Sequence, residues 1–126
     1  MPIELSLVIS ALVNAFRGIQ WEVETGSATN PAGNDLIVTA PNQRKYVINI
    51  KLGDGSVHFA TLAKVDHAAA TIGRDAGVDV HPVLLTTQGV SPGIAGVADE
   101  VGVQVVHAAG SADEIADSVV EELKAS

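Results

Sequence analysis

The chain has 126 residues, no cysteine, and seven Lys+Arg against fifteen Asp+Glu, a formal charge of −8. A single domain spanning 1–126 is expected at that length, and the lack of cysteine excludes disulfides, thiol catalysis and cysteine-ligated zinc. No apolar run reaches the roughly 18 residues of a membrane span, and no basic stretch precedes the N-terminal apolar residues, so a cytoplasmic protein without signal peptide or membrane contact is expected.

Residues 4–16 place Leu5, Val8, Ile9, Leu12, Val13 and Phe16 at helical spacing, with Gly18 as the predicted stop. Residues 20–24 alternate and predict a strand with Trp21 and Val23 on one side and Glu22 and Glu24 on the other. Residues 25–33, rich in Gly, Ser, Asn and Pro, read as a loop. Strands follow at 35–39 and 45–52, joined by a turn at 40–43 and closed by Gly53-Asp54-Gly55.

A helix is predicted over 59–74, carried by Leu62, Val65, Ala69 and Ile72. Residues 78–87 form an apolar run with Pro82 early in it, consistent with a buried strand. Ser91-Pro92 opens a helix as N-cap and first-turn proline, and that helix ends near Gly102. A short strand follows at 103–107, and Ser111 to Glu114 resembles a capping box opening a last helix that ends near Lys124. The order αβββαβαβα, antiparallel strands first and alternating elements later, predicts an α/β fold with a mixed sheet flanked by helices.

Two short stretches carry the chemistry. Asp35 opens one strand in Gly33-Asn34-Asp35-Leu36-Ile37-Val38, and Lys51 ends the next in Tyr46-Val47-Ile48-Asn49-Ile50-Lys51. Phosphodiester hydrolysis at neutral pH uses a metal to organise water and stabilise developing charge, and Mg²⁺ takes oxygen ligands including one or two carboxylates. Asp35 suits the ligand role, and Lys51 can orient or help deprotonate the water. Side chains alternate along a strand, so Asn49 and Lys51 share a face. Asn49 supplies only a neutral amide oxygen; Glu22, Glu24 and Glu4 are further carboxylates that could add charge. The plainer reading makes Asp35 a strand start, Lys51 a solvated strand end, and Glu22 and Glu24 the wet face of an edge strand.

Over nearly its whole length the sequence resembles the restriction-endonuclease-like fold with its PD-(D/E)xK motif, and is similar in detail to Mrr-type restriction endonucleases. A third stretch supports the likeness: Val83-Leu84-Leu85-Thr86-Thr87-Gln88-Gly89-Val90-Ser91-Pro92, then Ala98-Asp99-Glu100-Val101-Gly102-Val103-Gln104-Val105-Val106. It looks like that family's Thr-Thr strand end, glycine turn, and helix closing on Gly before a short strand. The resemblance implies Asp35 as metal ligand, Asn49 at the second-ligand position and Lys51 as catalytic lysine, with Mg²⁺ (Mn²⁺ as substitute) as cofactor if the site is active. Asn34 stands where the family often has Pro or Gly, and Asn49 where it has an acid or Gln.

Other residues read more plainly. His58, His67, His81 and His107 are scattered without a zinc-binding spacing. Asp66 and His67 read as a solvated helix face, or as a migrated carboxylate near the lysine. Thr86, Thr87, Gly89 and Ser91 read either as a polar turn near phosphate or as a plain strand-to-helix turn. DNA-binding domains tend to be basic, so only weak DNA binding is expected, with a protein partner or homodimer as alternatives. A receiver-like module fits less well, because no Gly-rich loop follows a first strand. Two functional readings stand: a catalytically degenerate nuclease fold serving as a binding module, and a weak or partner-dependent Mg²⁺-dependent DNA endonuclease using Asp35 and Lys51.

Overall fold

The computed structural model describes residues 4–24, 36–77 and 80–125, without the side chains of residues 75 and 76. Its elements run α1 (Leu5–Gly18), β1 (Glu22–Glu24), β2 (Leu36–Thr39), β3 (Lys45–Lys51), α2 (Phe59–Ala76), β4 (Val80–Thr86), α3 (Pro92–Val101), β5 (Gln104–His107) and α4 (Ala112–Lys124). This is the expected order. The predicted loop at 25–33 and the strand start at 78 lie outside the described residues.

Val8, Leu12 and Phe16, four residues apart on α1, are fully buried, each worth roughly 2 kcal/mol against exposure. The helix ends at Gly18, the expected stop, and Gln20 closes its last turn. Gln20 has φ 66°; its N–H donates to the Arg17 carbonyl at 3.1 Å, and the Trp21 N–H to the Phe16 carbonyl at 3.0 Å. These are the paired bonds of a Schellman cap. The Phe16 and Trp21 rings, 5.2 Å apart, supply its apolar contact. Because the cap uses residues 20 and 21, β1 begins only at Glu22.

Later helices also keep close to expectation. The Ser91 hydroxyl accepts from the Ile94 N–H, capping α3. Ser111 and Glu114 form the full capping box of α4. Gly77 (φ 68°) ends α2 two residues past its predicted limit.

The sheet order is β1-β2-β3-β4-β5, antiparallel through β3 and parallel from β3 to β5. Pro82 is tolerated in β4 because β5 begins pairing only at Val83, leaving β3 alone beside the proline. Cross-strand partners share a face. Val38, Tyr46, Ile48, Val83, Leu85 and Val106 line one face under α1 and α4. Ile37, Val47 and Leu84 line the other under α2 and α3.

Candidate site at the end of the third strand

Asn49 pairs with Leu84 and Lys51 with Thr86, where β3 and β4 run parallel. Both side chains belong to the α2/α3 face, since Val47 of the same strand parity packs against α2 there. Asn49 is half-buried and Lys51 exposed, and the two share a face as the alternation predicts.

The end of β3 is anchored through its backbone. The buried Thr86 hydroxyl donates to the Lys51 carbonyl at 2.9 Å and accepts from the Gln88 N–H at 2.9 Å. The Thr87 N–H donates to the same carbonyl at 3.2 Å. Beyond it, the Gly53 N–H donates to the Thr87 hydroxyl at 3.1 Å, and the Gln88 amide donates to the Leu52 carbonyl at 3.4 Å. Gly89 and Gly55 are joined N–H to carbonyl at 2.9 Å, and Ser56 bridges to Gly89 in parallel. The loop after β3 is therefore zipped to the loop after β4. Thr86 and Thr87 spend their hydroxyls on this seam, and Ser91 on its helix, which is the plain strand-to-helix reading of that stretch. Spacing alone did not show that the polar cluster ending an apolar strand positions the lysine; that cluster was the signal.

The candidate carboxylates are spread out. Glu24 pairs with Ile37, which pairs with Val47, two residues before Asn49. Two strand spacings, about 10 Å, separate Glu24 from β3. Glu22 is level with Lys45, at the opposite end of β3 from Lys51. Both are exposed on β1. Glu4 precedes α1, which packs on the other face of the sheet. Asp66 and His67 are exposed on α2. Asp35 lies outside the described residues.

Among the described residues no three His, Cys, Asp or Glu side chains come together as a metal-binding group. Asn49 adds an uncharged oxygen where Mg²⁺ favours carboxylates. The described residues by themselves do not fit a Mg²⁺ centre.

A second polar group sits on the α1/α4 face. The His81 Nε2–H donates to the Gln104 amide oxygen at 3.1 Å, and the His81 ring stands edge-on to Tyr46 at 5.5 Å. Tyr46 in turn stacks with Trp21 at 5.7 Å and lies under the Arg44 guanidinium at 5.4 Å. Burial pushes the His81 pKa below its ordinary value; the Gln104 hydrogen bond opposes this, and the Arg44 charge adds to it.

No known family's sequence profile matches this chain, and no curated protein matches it. Solved structures do. A repair endonuclease from Pyrococcus abyssi is 11% identical with a TM-score of 0.59, over 79% of this chain and 46% of the other. A protein of unknown function is 12% identical with a TM-score of 0.60, over 94% of this chain and 67% of the other. The chain thus spans less than half the length of the repair endonuclease. Among the described residues no helix is long and apolar enough to cross a membrane. The likeness, with the five-stranded mixed sheet between two helix pairs, gives the chain a restriction-endonuclease-like fold.

Proposed function

We propose that this chain is a PD-(D/E)xK-type, Mrr-like domain that no longer cuts on its own and serves as a binding or interaction module. The observation that carries the reading is Asn49, half-buried two residues before Lys51 on the same face. A neutral amide at that position adds no charge to hold Mg²⁺. Glu22 lies at the wrong end of the sheet to replace it, and Glu24 is two strands away. The charge of −8 also opposes tight binding to phosphate backbones.

A second reading rests on Lys51, whose carbonyl is pinned by Thr86 and Thr87. Asp35 immediately precedes Leu36, whose partner Ile48 adjoins Asn49. Under this reading Asp35 and Asn49 would hold Mg²⁺ or Mn²⁺, and Lys51 would assist hydrolysis of DNA brought by a partner protein.

Calorimetric titration with Mg²⁺ and Mn²⁺, run beside a DNA-nicking assay, separates the two. The binding-module reading expects no cleavage by the wild type and no difference between it and Asp35→Ala. Nicking that needs metal and vanishes in both Asp35→Ala and Lys51→Ala overturns it in favour of the nuclease.

A further inference from the structure

The free edge of β5 is unlike the other edge of the sheet. Ala108 N–H donates to the Thr86 carbonyl at 3.0 Å, so alternation turns the N–H and C=O groups of Val105 and His107 away from β4. Among the described residues no strand lies beyond β5. Exposed edges are commonly blunted by charged residues, proline or bulges. The β1 edge carries Glu22 and Glu24, but β5 reads Gln-Val-Val-His.

Grooves flank this edge on both faces of the sheet. On the α4 side a groove of about 520 Å³ is lined by Val106, His107, Asp117, Ser118, Glu121 and Glu122. On the α3 side a smaller one of about 240 Å³ is lined by Ala98, Asp99 and Val105, among others. Side chains of an added strand would point alternately into the two. The charged side chains lining them are all acidic: Asp117, Glu121 and Glu122 in the first and Asp99 in the second.

We infer that the β5 edge takes an extended, basic segment of a partner protein as a sixth strand. The backbone of Val105 and His107 supplies the hydrogen bonds, the carboxylates of α4 receive basic side chains, and the α3 groove receives small apolar ones. This is strand addition, where main-chain bonds hold the peptide and flanking pockets select it. A second copy of the chain fits worse, because it would bring another acidic α4 against the first. The inference does not depend on whether the Asn49–Lys51 site cuts.

The probe is a fluorescein-labelled Lys-Val-Lys-Val-Lys-Val peptide, with Glu-Val-Glu-Val-Glu-Val as control. Anisotropy is expected to show binding of the first peptide only, weakened at least tenfold by Glu121→Lys with Glu122→Lys. Val105→Pro removes an outward N–H while leaving every charge, and is expected to abolish binding. Should that variant not fold, amide exchange on the wild type reads the same point: Val105 and His107 become protected when the peptide is added. Binding without that protection, or unchanged in folded Val105→Pro, overturns the inference as mere charge attraction. So does absence of binding, and so does protection of both amides in a peptide-free dimer.

Discussion

The Thr86 hydroxyl joins the Lys51 carbonyl across two parallel strands, 35 residues apart in the chain. Thr86 is fully buried and its oxygen also accepts from Gln88. Replacing it with valine keeps the shape and removes both bonds, leaving the Gln88 N–H without this acceptor. The expected loss is about 1–3 kcal/mol of stability, read from urea unfolding, with Thr86→Ser recovering most of it. A valine variant as stable as the wild type would show that the Thr86 hydroxyl contributes nothing to stability.

Asn49→Glu puts a carboxylate into a half-buried position. Without metal the variant should unfold earlier, by about 1–3 kcal/mol, for an incompletely compensated polar group. If this position faces a cation site, excess Mg²⁺ should restore its melting temperature while leaving the wild type unmoved. Equal responses of the two proteins to Mg²⁺ would remove Asn49 from the metal assignment.

Gln20 holds a left-handed backbone that glycine adopts without steric cost. The strain of roughly 1–2 kcal/mol for a side chain there exceeds the entropy glycine loses on folding. Gln20→Gly should therefore stabilise the protein by about 0.5–1 kcal/mol. Thermal melts of the pair decide it, and a lower melting temperature in the variant would contradict the cap.

His81 makes stability depend on pH in one direction. Its pKa in the folded chain is lowered from 6.5, so as pH falls through that value the unfolded chain takes up the proton first. The stability it supplies is complete above pH 6.5, declines as the solution is acidified, and levels off once folded His81 is itself protonated. His81→Gln should flatten that part of the profile in urea unfolding at a series of pH values. An unchanged slope would place the titration elsewhere.

What could be read from sequence was written locally. The capping box of α4 needs only Ser111 and Glu114, three apart, and the shared face of Asn49 and Lys51 needs only alternation. The stop at Gly18 was legible, but the Schellman cap beyond it was hidden because glutamine is an unusual occupant of its left-handed position. Glu22 and Glu24 seemed near the lysine because strand order was legible, whereas register across three strands was not. The double role of Thr86 depends on a pairing closed over a whole helix, which no local pattern records.

That same seam has a kinetic side. Loop 52–57 and loop 87–89 are separated along the chain by α2 and β4, yet bonded to each other in the fold. Contacts so distant along the chain carry a closure entropy that must be met before they reward folding. The end of β3 that displays Lys51 is thus expected to be organised late, with the parallel half of the sheet. In pulse-labelled exchange during refolding, the Gly53 amide should gain protection after the amides of α2; protection arriving earlier would mean the two loops find each other first.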